Sequence, residues 1–187
     1  MANVLVPLAE GFEELEAVTI IDILRRAEID VVVAGLREGP VKGSRGTVII
    51  PDTTLQQVMD LPFDMIALPG GIPGSTHLNA DPRIHGLLER LTKEGKVTAA
   101  ICAAPLVLAT AGLLKGKKGT SFPGALPQHL LEEMDYQESA VVVDGKVITS
   151  RGAGTAMDFA LMLVETLSGV QVREKVEKPL QRPRVEK

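Results

Sequence analysis

The chain is expected to fold as one α/β domain, a mostly parallel sheet covered by helices on both faces. Three observations predict it. Short β-branched apolar runs alternate with amphipathic helical stretches throughout, the pattern of repeated βαβ units. Eighteen glycines and twelve prolines among 187 residues supply the tight turns that this alternation needs. The length suits a single core, and 45% apolar with 24% charged residues is the balance of a globular chain.

The elements follow in order. "NVLVPL" (3–8) reads as a short buried strand and "EELEAVTIIDILRRA" (13–27) as a helix. Leu15, Val18, Ile21 and Leu24 recur at helical spacing, and Ile20 and Ile23 widen the stripe. Such a helix is buried on most sides within one subunit or contributes to a subunit interface. "IDVVVAGL" (29–36) is the second strand. "GSRGTVIIPD" (43–52) is an extended or hairpin element, with a short helix near 53–60. "FDMIALPGG" (63–71) is a buried strand ending in a glycine turn. Asp81 as N-cap, Pro82 at the first helical position and Gly95 at the exit bound a helix over 81–95. A strand at 96–101 runs straight into a helix at 103–114. A short strand and turn occupy 119–124, and 125–134 is ambiguous. Residues 139–150 form a hairpin turning at Asp144-Gly145, and 154–169 the last long helix. No internal repeat or linker divides residues 1–187, and the charged segment 172–187 reads as a solvated helix with a frayed end.

Composition narrows the function. A net charge of −4, 3% aromatics and no Trp give no footprint for nucleic acid. No apolar run approaches the roughly 20 residues of a membrane span. The N-terminal stretch lacks the basic region of a signal peptide, and a lone cysteine cannot form an intrachain disulfide. A reduced, cytoplasmic protein is expected.

Ligands of open parallel sheets bind beyond the carboxyl ends of the strands, where three features fall. The first is Cys102, between a strand and a helix. Unpaired amides at such a junction favour an anion, so its thiol is expected to be acidified and exposed as on a nucleophile elbow. A buried cysteine acting as a small hydrophobe is the plainer alternative. The second is "PGG" (69–71), either a simple turn or a presenter of amides to an oxyanion opposite the Ala103 N–H. The third is the acidic run Glu10, Glu13, Glu14 and Glu16. Most of these suit a solvated first helical turn, but Glu16 lies among apolar neighbours. A desolvated Glu16 would stay protonated near neutral pH and could move protons. His77 follows the glycine loop and could line the crevice, whereas His85 and His129 read as exposed. No histidine adjoins Cys102 in sequence, no ligand spacing points to a metal, and no phosphate loop is present.

"GFEELEAVTIIDILRRAEIDVVVAGL", "LPGG", "AAICAAP", "TSRGAGTAMDFAL" and "VEKPL" resemble the ThiJ/PfpI superfamily over nearly the whole chain. The resemblance implies a flavodoxin-like three-layer α/β/α sandwich, a homodimer and no cofactor. It implies that Cys102 is the reactive residue, Glu16 its carboxyl partner, and Gly70, Gly71 and Ala103 the amide donors. It places Arg45, with Arg25 or Arg26, near the dimer contact and Phe122 in the site lining. The activity implied is that of a glyoxalase or deglycase acting on methylglyoxal, glyoxal or their early adducts with amines and thiols. An oxidative-stress sensor or redox chaperone working through a Cys102 sulfinate is the alternative. Departures carry weight too. Phe122 stands where relatives often have histidine. Ala103 replaces the histidine that follows the cysteine in peptidase members, which argues against proteolysis. Ala153 replaces a proline.

Overall fold

The computed structural model describes residues 2–182. In chain order the elements are β1 (Asn3–Leu8), α1 (Glu14–Arg26), β2 (Asp30–Gly35), β3 (Val41–Lys42), β4 (Val48–Ile49), β5 (Thr53–Thr54) and α2 (Leu55–Val58). There follow β6 (Met65–Leu68), α3 (Gly74–Ala80), α4 (Pro82–Lys93), β7 (Val97–Ile101) and α5 (Pro105–Thr110). The last are β8 (Lys118–Gly119), α6 (Gln128–Leu131), β9 (Asp135–Tyr136), β10 (Val141–Asp144), β11 (Val147–Ser150), α7 (Ala156–Ser168) and α8 (Val170–Glu177).

Seven strands form the central sheet in the order β10-β11-β7-β6-β1-β2-β5. Every pairing is parallel except that of β10 with β11. Alternation along β1 shows why both faces must be covered. Val4, Val6 and Leu8 pack with α1 and α7, while Leu5 packs with α4 and α5, and all four are buried. The result is the expected flavodoxin-like sandwich of three layers. β1 has β2 on one side and β6 on the other, so the winding reverses there and a crevice opens at the carboxyl ends.

Four local expectations change. The glycine- and proline-rich stretch after β6 contains a helix, α3, that its breakers conceal. Segment 125–134 resolves into the short α6. The helix after Cys102 begins only at Pro105, because residues 102–104 form a turn. α8 is anchored by buried Val176 rather than fully solvated, and the frayed end expected over 183–187 lies outside the described residues. On α1 the buried apolar residues are Ala17, Ile20, Ile23 and Leu24, whereas Leu15 and Val18 are about half exposed. Beside them the β3–β4 hairpin exposes Val48 and, at 81%, Ile50.

Candidate active site

Cys102 follows the last residue of β7 with a φ of 64°, one of three non-glycine residues described in the left-handed region. That conformation costs an L-residue about 1 kcal/mol or more and is the strained turn of a nucleophile elbow. Hydrogen bonds hold it on both sides. Its N–H donates to the Ser150 carbonyl of β11 at 2.9 Å, and its carbonyl accepts from Phe122 N–H at 2.7 Å.

Glu16 reaches the same point from α1 and is 0% exposed. Gly70 N–H donates to its Oε2 at 2.8 Å. Oε1 is buried with no partner, and no hydrogen bond of regular geometry joins it to the thiol, although each group shifts the other. Gly70 must be glycine here: a Cβ would lie 2.6 Å from Glu16 Oε2 and 2.7 Å from Cys102 Cβ. Gly71, at φ 97°, packs so closely on residues 11–13 that a Cβ would meet Glu13 N at 2.5 Å. The amides of Ala103 and Gly71 act on the Cys102 thiol, each drawing its pKa down.

Burial raises the Glu16 carboxyl to about 7, with smaller opposing effects from the thiol and the Gly70 amide. Burial also pushes the Cys102 thiol up to about 12, reinforced by the Glu16 charge and opposed by the Ala103 and Gly71 amides. The acidified thiol expected from the elbow is therefore corrected. Two amide dipoles are outweighed by lost hydration and a carboxylate in contact. Between those values the pair carries one negative charge, which a single proton transfer moves between oxygen and sulfur.

The remaining expected residues scatter. His77 is exposed on α3, and its Nδ1 bonds the Glu10 carbonyl at 2.9 Å. It lines a cavity of about 270 Å³ with Arg37 and Glu38, beyond the ends of β1 and β2. Phe122 holds the elbow through its backbone and leaves its ring half exposed. Arg25 bonds Asp52 at 2.9 Å beside Val18 and Ile50 on the apolar face of α1 and the hairpin. Arg26 pairs with Asp22 within α1. Arg45 occupies the hairpin turn. Among the described residues no group of His, Cys, Asp or Glu is placed to hold a metal.

Glu14 is the residue the sequence conceals. Expected to be solvated, it is buried and accepts hydrogen bonds from Arg45 N–H (2.6 Å), Thr47 N–H (3.1 Å) and Ser44 Oγ (3.2 Å). Gly43 leaves room for this clamp, since a Cβ there would run into the Glu14 carboxyl. The one advance signal was that glycine, standing beside a turn that needs an acceptor.

The chain resembles known proteins along its length. Residues 2–166 match the DJ-1/PfpI family. Protein dj-1beta of Drosophila melanogaster is 45% identical over 95% of this chain and 96% of its own. The crystal structure of Drosophila DJ-1beta superimposes with a TM-score of 0.93 over 98% of this chain and 99% of that one. The glutathione-independent glyoxalase DJR-1.2 of Caenorhabditis elegans is 38% identical over 96% of this chain and 95% of its own. An oxidized Toxoplasma gondii DJ-1 structure, 37% identical, gives a TM-score of 0.91 over 98% of this chain and 100% of that one. A half-buried thiol beside a buried carboxyl on a strand-to-helix elbow thus stands in a chain that belongs to the DJ-1/PfpI family.

Proposed function

We propose that the protein is a glyoxalase that needs neither glutathione nor a cofactor, converting 2-oxoaldehydes to 2-hydroxy acids through Cys102. The observation that carries the reading is the buried Glu16 carboxyl, held by the Gly70 N–H, set against half-buried Cys102 on its left-handed elbow. The name of the nematode relative agrees with it.

The residues divide the chemistry as follows. The Cys102 sulfur attacks the aldehyde carbon while its proton passes to Glu16, forming a C–S bond. The oxygen that gains charge faces the Gly71 and Ala103 amides. Glu16 returns the proton to that oxygen, completing a hemithioacetal. Glu16 then takes the hydrogen from the former aldehyde carbon and delivers it to the adjacent carbonyl carbon through an enediol, while the proton on the first carbon's oxygen passes to the oxygen of the second. The first carbon is oxidised and the second reduced, so no external electron carrier is needed. Water cleaves the resulting thioester, releasing the hydroxy acid and restoring the thiol. Early adducts of the same aldehydes with amines or thiols present the same two carbons and extend the reading to deglycation.

The working unit is a homodimer. Leu15 and Val18 of α1, with Val48 and Ile50 of the hairpin, give a second copy an apolar face edged by Arg25. A chain whose lone thiol is reactive also suits the reducing cytoplasm. Lactate formation from methylglyoxal without glutathione tests the activity: wild type turns over, and Cys102→Ser does not. Full turnover by Cys102→Ser ends the proposal.

A second reading rests on the same amides, which would hold a Cys102 sulfinate beside Glu16 and make the protein an oxidative-stress sensor or redox chaperone. It predicts a mass gain of two oxygens on Cys102 at peroxide doses that leave the fold intact. An unmodified Cys102 at those doses counts against it.

A further inference from the structure

Two exposed large apolar residues stand next to groups that act on Cys102. Ile72, 71% exposed, lies two residues after Gly70, where a Cβ would be 2.7 Å from Cys102 Cβ. Phe122, 51% exposed, donates its N–H to the Cys102 carbonyl. The Phe122 ring lies against Gly152, where a Cβ would be 3.5 Å from Cδ2. Gly152 is two residues beyond Ser150, which accepts the Cys102 N–H. Both residues thus adjoin the site along the backbone and are exposed. The positions between them, Gly71, Ala103 and Gly152, carry little or no side chain. These two residues are separate from the apolar face of α1 and the hairpin, which lies on other elements.

We infer that Phe122 and Ile72 form an apolar rim that selects 2-oxoaldehydes bearing an aromatic or branched apolar substituent over glyoxal. The inference deepens the glyoxalase reading and rests on it. Bond formation at the aldehyde carbon places the substituent on the next carbon, outside the oxyanion amides and against the rim. A ring covered by another ring gains about 0.5–1.5 kcal/mol beyond simple burial, a factor of about 2 to 12. Glyoxal has no group to collect that gain.

Cys102 is the only cysteine in the chain, so thiol labelling followed by mass reads this site alone. The rates for N-phenylmaleimide and N-ethylmaleimide are measured on wild type, Phe122→Ala, Phe122→Leu and Ile72→Ala, each normalised to glutathione. The phenyl-to-ethyl ratio is expected to fall about 3- to 10-fold in Phe122→Ala and less in Phe122→Leu and Ile72→Ala. The kcat/KM ratio of phenylglyoxal to glyoxal is expected to fall in parallel. A labelling ratio that stays at the wild-type value in all three variants overturns the rim. A ratio that falls, in a protein whose wild type turns over neither aldehyde, keeps the rim and overturns the glyoxalase reading. Thermal melts of the same samples confirm that each variant is folded when labelled.

Discussion

Glu14 and Glu16 stand two residues apart at the start of α1, both withdrawn from solvent, and the fold treats them in opposite ways. Burial pushes the pKa of each upward. At Glu14 that effect is overcome by amides of its own turn, Arg45 and Thr47 and by the Ser44 hydroxyl, so the carboxyl ionises more readily than usual. Glu16 has one amide and a thiol, and burial prevails. The number of donors, more than depth, decides whether a buried carboxylate is a structural anion or a proton carrier. A helical spacing of two points the side chains in different directions, one toward the hairpin and one toward the crevice.

The largest test of this contrast is Glu16→Gln. Loss of the proton carrier is expected to lower kcat for methylglyoxal by about 10²- to 10⁴-fold. Stability should move the other way. A carboxyl whose folded value is raised to about 7 favours folding while protonated. That contribution is complete below the ordinary value of 4.5 and is lost as pH rises to about 7. The loss is on the order of 3 kcal/mol by linkage. Glutamine escapes it, so Glu16→Gln is expected to gain on wild type in urea melts between pH 5 and pH 8. A gap that does not change with pH breaks the contrast.

Glu14→Gln is the next test, with an expected loss of about 2 kcal/mol at pH 7, since the Arg45 and Thr47 amides and Ser44 lose a charged acceptor. Here the folded value is depressed, so the stabilisation is present above pH 4.5 and lost as pH falls through the folded value. The two proteins should converge in acid, and above it wild type should be the more stable one, the opposite sign to the gap of the Glu16 pair. Convergence at alkaline pH instead would place the titrating group elsewhere.

Much of this was legible beforehand, and the residues show why. Alternating strands and helices, Asp81 with Pro82 and Gly95, and the junction at Cys102 are local signals written within a few residues. Glu16 stood out for its apolar neighbours. Glu14 did not, because what buries it is a turn some thirty residues away. The half-exposed Leu15 and Val18 share their helix with Ile20 and Ile23, and only packing against α7 separates the two sets. The upward shift of the thiol also lay beyond local reading, since it depends on how closely α1 and β7 approach. Sequence shows which groups gather at the strand ends. Their protonation depends on distances that only the fold sets.

Gly43 offers the smallest effect and the sharpest check on the clamp. Its methyl in Gly43→Ala would strike the Glu14 carboxyl, so either the turn or the carboxylate must yield. A flexible carboxylate would retreat at little cost, but three donors pin this one. The expected loss is about 1 to 2 kcal/mol in urea melts at pH 7. The double variant Gly43→Ala/Glu14→Gln then separates crowding from general damage. If the methyl acts by loosening the clamp, the second substitution finds part of its effect already spent, and the losses sum to less than their total by about 1 kcal/mol. Strict additivity would mean that Gly43 is needed for its own backbone, and that Glu14 holds the hairpin without its help.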